Sequence, residues 1–152
     1  FLDESQIVTQ SIVRGSPTKP IAVAKADQIA AKGKTIDSGT VKILRQLPLV
    51  ILANGSSASA AEITISALQD NKRGTVIGVT TFGKGVGYKT QPGPIGGLMS
   101  VTALKYLTPN GNEVHERGID PDISVPVPAN ETKDIQLAAA IAKLQEQLAT
   151  KP

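Results

Sequence analysis

Three serines, Ser56, Ser57 and Ser59, crowd the junction between an apolar run and an alanine-rich segment that reads as a helix. A side chain at such a junction stands at a sheet edge and at a helix N-terminus, where free backbone N–H groups and the macrodipole favour negative charge. A serine nucleophile requires that setting. Its hydroxyl must reach a carbonyl, and a neighbouring N–H must hold the oxyanion that forms. Ser59 also reads as a plain helix cap. It directly precedes the helical run, and Glu62 three residues on completes the pattern of a capping box.

A nucleophilic serine needs a base. His115 is the one imidazole, in the polar stretch NEVHERG with no obvious orienting partner, and it reads first as an exposed loop residue. The other base is a lysine that has lost its proton, which happens when burial among apolar groups disfavours the ammonium. Lys84 suits that role. It lies between Gly83 and Gly85, after Phe82 and before Val86, and no acidic residue occurs from Thr75 to Thr108. Its alternative is a surface lysine in a glycine loop.

The elements that would carry these residues follow from periodicity. Gln6 to Val13 is β-branched and reads as a strand. Ile21 to Gln46 is ambiguous: AKADQIAAKGK suggests a short helix interrupted by Gly33, and GKTIDSGTVKI a hairpin or exposed loop. Leu47 to Ala53 is nearly unbroken apolar sequence, the pattern of a strand buried on both faces in a parallel or mixed sheet, with Pro48 at its start. Ala60 to Gln69 follows as a helix with Ala61, Ile65 and Leu68 on one stripe. Thr75 to Val79 and Leu98 to Leu107 read as strands. Ile123, Val125 and Val127 alternate as an edge strand. Asp134 to Ala149 reads as an amphipathic helix through Leu137, Ile141, Leu144 and Leu148. The alternation of strands and helices gives one α/β unit.

Composition narrows the field. The chain has 152 residues, a length suited to one domain, with 40% apolar and 19% charged residues. Aromatics are 3%, too few for a base-stacking surface, so no nucleic-acid partner is expected. The net charge of +3 is scattered, with no basic run longer than Lys72-Arg73. Without cysteine there is no disulfide scaffold, zinc–thiolate site or cysteine nucleophile, and one histidine excludes a multi-histidine metal site. No apolar run reaches the ~20 residues of a membrane-spanning helix. The chain opens on Phe1-Leu2 without Met and without a visible targeting signal, so a processed chain or fragment is expected.

The segment LPLVILANGSSASAAEITISALQDNKRGTVIGVTTFGKG resembles the core of the C-terminal processing peptidases, or tail-specific proteases. Ser57-Ala58-Ser59-Ala60-Ala61-Glu62 and Phe82-Gly83-Lys84-Gly85 match that family's ordered motifs. YLTPNGNEVHERGIDPDI, from Tyr106 to Ile123, is similar to its Tyr-Thr-Pro-x-Gly and Gly-Ile-x-Pro-Asp motifs, and DIQLAAAIAKL to its terminal helix. The resemblance covers roughly Leu47 to Leu148. It implies Ser59 as nucleophile, Lys84 as general base 25 residues on, and the Ala60 N–H as oxyanion donor. Where the family has a lysine-orienting Gln, this chain has Tyr88.

The resemblance further implies an α/β fold, a mixed sheet with flanking helices, similar to the crotonase and Clp-peptidase core. Residues 1–152 would form the C-terminal part of a serine peptidase core. An upstream core segment supplying a second oxyanion donor, and a PDZ-like domain, would lie outside this chain. The implied activity is endopeptidase cleavage near protein C-termini through an acyl-enzyme, with no metal or organic cofactor. The implied location is extracytoplasmic: periplasm, cell envelope or thylakoid lumen. The alternatives are a non-catalytic descendant that binds peptides or partners, and a fragment completed by an upstream segment or an oligomeric partner.

Overall fold

The protein is described from a computed structural model at residues 1–23 and 37–150. Strand β1, Ile7–Val13, pairs antiparallel with β2, Lys19–Ala22. β2 was not anticipated, because Pro20 cannot donate to a ladder, but an edge position tolerates it. The AKADQIAAKGK segment, residues 24–34, lies within the residues not described.

The expected hairpin or loop in GKTIDSGTVKI is corrected by helix α1, Ser38–Gln46. Asp37 caps it by accepting the Thr40 N–H at 2.7 Å. That bond and others from Thr40 and Gly39 hold the Asp37 carboxyl below the usual carboxylate range. A local cap thus outweighs the poor helix propensity of Gly39, Thr40 and Val41.

The apolar run yields β3, Val50–Ala53, with Pro48 outside the ladder. β3 pairs in parallel with β4, Thr75–Gly78. Between them runs helix α2, Ala60–Asp70, the crossover that parallel neighbours require. Its Ile65 and Leu68 are buried, whereas Ala61 is exposed. Parallel pairing is as expected, but burial on both faces is not. Among the described residues β3 is an outer strand, and Leu52 is 44% exposed.

Strand β5, Val86–Pro92, has no period-two apolar signal and was not anticipated. Antiparallel pairing with β6, Leu98–Leu107, defines it, with a register shift between Gly87 and Tyr88. The Pro-Gly segment joins the two. Strand β7 is confined to Ile123–Ser124, since Pro126 halts the alternation, and it pairs in parallel with β4. Helix α3, Ile135–Ala149, begins at Asp134, whose carboxylate accepts the Leu137 N–H at 2.8 Å. Ala140 is its buried residue, and Leu137, Ile141 and Leu148 of the expected stripe are exposed.

Among the described residues the result is an α/β fold with two sheets, one four-stranded and antiparallel in the order β2-β1-β6-β5, the other three-stranded and parallel in the order β3-β4-β7. One core joins them. Ala53, Ile65, Val76, Tyr106, Val114 and Ile119 pack together there, and both candidate catalytic loops leave from its rim.

Candidate active site

The loop after β3 is shaped by its own side chains. Asn54 accepts the Ser56 N–H at 2.9 Å through Oδ1, and its backbone N–H donates to the Ser57 hydroxyl at 3.2 Å. The backbone closes the same turn, Ser57 N–H to Asn54 carbonyl at 2.9 Å. This turn delivers Ser59 to the first position before α2 with φ 58° and ψ −116°. A non-glycine residue there carries strain, and the geometry is that of a sharp strand-to-helix bend that lifts a hydroxyl out of the sheet. The Ala60 N–H, at the first helical position, donates to no acceptor among the described residues, as helix N-termini leave it.

Lys84 arrives on the loop after β4. Gly83 has φ 88°, and a Cβ there would lie 2.9 Å from the Gly118 nitrogen. A Cβ on Gly85 would overlap the backbone nitrogen of His115. The glycines flanking Lys84 therefore let its loop press against the segment from Val114 to Gly118. Glu116 N–H donates to the Gly83 carbonyl at 2.9 Å, which fixes that contact.

One carboxylate ties the two loops together. Glu62, at 0% exposure, accepts the Ser59 N–H at 2.8 Å and the Lys84 N–H at 2.8 Å on Oε2. Its Oε1 accepts the Gly83 N–H at 2.7 Å and the Thr81 hydroxyl at 2.6 Å. Thr81 in turn accepts the Ile119 N–H at 2.8 Å. The Phe82 N–H reaches the Ser57 carbonyl at 2.9 Å. Ser59 and Lys84, 25 positions apart, are thus joined through a single oxygen atom.

Tyr106 of β6 is the second bridge. Its phenol donates to the Lys84 carbonyl and faces the Ser59 side chain. Burial raises the Tyr106 hydroxyl above its ordinary value; the Ser59 side chain opposes this, and the Glu62 charge adds to it.

Of the residues expected from the sequence, Ser59 and Lys84 meet through their backbone N–H groups on Glu62, Ala60 follows Ser59 at the start of α2, and Tyr88 lies beside the Lys84 side chain. The Lys84 ammonium lies over the Tyr88 ring, 5.9 Å from its centroid, so the contact is to the ring face. Lys84 is exposed rather than enclosed by apolar groups, contrary to the sequence-based expectation. His115 is not the exposed loop residue expected either. It is half-buried against Gly85, and its Nδ1 has no hydrogen-bond partner among the described residues.

Sequence reasoning missed three contributors. The sequence marks Glu62 only as half of a capping box, gives Thr81 no mark, and offers Tyr106 only as the first residue of a motif. Residue type alone, a carboxylate and two hydroxyls, is their mark in the sequence, and it assigns none of them a role. Among the described residues no His, Cys, Asp and Glu cluster could hold a metal ion.

A strained serine ahead of a helix and a glycine-flanked lysine thus meet on one buried carboxylate. Residues 1–125 match the Peptidase family S41 model, and the chain belongs to that family. A Staphylococcus aureus (strain N315) protein named "Probable CtpA-like serine protease" is 33% identical over 128 residues, covering 75% of this chain and 26% of that protein. The chain thus spans about a quarter of the length of this relative. Among solved structures, the photosystem II D1 C-terminal processing protease aligns at a TM-score of 0.64 with 27% identity, over 91% of this chain and 32% of its own. The tricorn protease shares the fold at a TM-score of 0.55, over 68% of this chain and 11% of its own.

Proposed function

We propose that this chain carries the Ser59/Lys84 dyad of a serine endopeptidase that cleaves protein substrates near their C-termini. The observation behind this reading is the common oxygen of Glu62, which holds the backbone of both residues. Substrate covers the exposed lysine, and the loss of water disfavours the ammonium. The neutral amine then accepts the Ser59 proton as the hydroxyl attacks the scissile carbonyl. The Ala60 N–H donates to the developing oxyanion, the lysine returns its proton to the leaving amine, and water hydrolyses the acyl-enzyme. In the full-length protein, a PDZ-like domain presents the substrate tail, an upstream segment supplies the second oxyanion donor, and the site works outside the cytoplasm. The relative named for D1 C-terminal processing supports the tail preference.

The test is acylation. In the full-length protein a fluorophosphonate probe should label Ser59, and Lys84→Ala should lower labelling and turnover by about 10² to 10⁴-fold. Ordinary turnover in Lys84→Ala would reject the mechanism. A second reading, a non-catalytic binder of peptide tails, draws on Tyr88, which meets the lysine with its ring face where the family has Gln. Tail binding without cleavage at pH values from 6 to 10 would select it.

A further inference from the structure

We propose that Glu62 is a positioning residue of the reaction, whose buried carboxylate sets the nucleophile loop and the base loop relative to each other. The proposal rests on the Ser59/Lys84 reading above. A capping residue needs only one bond, from Glu62 to the Ser59 N–H. Glu62 makes that bond and three more, to the Lys84 N–H, the Gly83 N–H and the Thr81 hydroxyl. Two donors fall on each oxygen, which fills the four lone-pair sites of an ionised carboxylate. None of the donors is a cation, and no salt bridge reaches Glu62 among the described residues. Its charge is balanced by backbone dipoles, the hydroxyl and the N-terminus of α2, in whose first turn it lies.

An anion at 0% exposure with only neutral partners is a costly choice if the sole purpose is to start a helix. Its partners show what else it does. Three of the four lie on the loop that carries Lys84, and the fourth is the amide of Ser59 itself. Through Thr81 the network continues to Ile119, in the Gly-Ile-x-Pro-Asp stretch that backs the lysine loop. A displacement of either loop breaks bonds to an atom that the other also uses. Glu62 touches no reacting atom in this scheme and acts by limiting where Ser59 and Lys84 can go.

Glu62→Gln in the full-length protein tests this. The side chain keeps its volume, but one acceptor becomes an NH2 group facing an N–H donor. The rate of Ser59 labelling by a fluorophosphonate and kcat on a tail peptide should each fall about 100-fold, the scale of an ångström-size misplacement. KM should stay within about threefold, because the substrate-binding surface is untouched, and thermal unfolding should remain a single transition. Thr81→Val, which deletes one donor without changing shape, should lower kcat in the same direction and by less. Labelling and kcat at the unaltered rate in Glu62→Gln would overturn the proposal, as would a loss carried by KM alone. If Glu62→Gln fails to fold, Thr81→Val decides, and normal labelling there overturns it. Inactive Lys84→Ala beside normal Glu62→Gln would reject the positioning role only. Active Lys84→Ala would reject the dyad itself.

Discussion

Tyr106 shows how a residue outside the dyad reports on it. Its phenol is buried, faces the Ser59 side chain and lies near the Glu62 charge, and it holds its proton above the ordinary value of 10.0. In the unfolded chain the phenol ionises near that ordinary value, so the unfolded state binds fewer protons at higher pH. Stability from this group is therefore complete below pH ~10 and is lost as pH rises through the folded-state value. Urea midpoints measured from pH 9 to 11.5 should fall more steeply for the unaltered protein than for Tyr106→Phe. Equal slopes would show that the hydroxyl is not as enclosed as the structure has it. Ser59, Ala60, Lys84 and Tyr88 stand out in the sequence as candidates because loop punctuation and motif order mark them. Glu62, Thr81 and Tyr106 do not, because their roles depend on contacts across 19 to 47 positions, between elements whose mutual placement no local pattern encodes.

At the level of elements, a side chain extends the pairing of β4 with β7 by one position. Asp122 accepts the Val76 N–H at 2.7 Å and the Gln69 amide at 3.1 Å, so the Gly-Ile-x-Pro-Asp stretch pins β4 to α2. Asp122→Ala leaves a buried amide without an acceptor. It should cost about 1–3 kcal/mol in urea unfolding, with little change in m-value. A cost near zero would mean that water replaces the carboxylate. Strands β1, β4 and β6 and helices α2 and α3 were legible because their apolar periods are long or their caps explicit. β2 and β5 were not, since Pro20 and Gly87 oppose strand formation and only the partners β1 and β6 impose it. α1 was missed because its cap, Asp37, precedes a weak helical sequence.

Across the whole molecule, Arg73 gathers distant parts of the chain. Its guanidinium donates to the carbonyls of Phe1 at 3.0 Å, Leu44 at 2.6 Å and Leu47 at 2.9 Å, and sits over the Phe1 ring at 5.6 Å. Arg73→Ala should release the first residues and α1 together, seen as faster hydrogen exchange in both and early proteolytic cutting there. Arg73→Lys should not restore protection, because one ammonium cannot span three carbonyls in the fork geometry. Unchanged exchange in Arg73→Ala would show that packing alone holds these segments. The α/β class and the parallel β3–β4 pair were foreseeable from the βαβ order. The division into two sheets was not, because antiparallel partners far apart in sequence leave no periodic trace.

The bend at Ser59 sets chemistry against folding. Its backbone sits where L-amino acids other than glycine are uncomfortable, at φ 58° and ψ −116°. Ser59→Gly should therefore melt at a higher temperature than the unaltered protein while losing all acylation. Stability alone would drive this position toward glycine, and a hydroxyl persists there at a thermodynamic disadvantage. A lower melting temperature in Ser59→Gly would show instead that the contacts of the hydroxyl outweigh the relief of the bend.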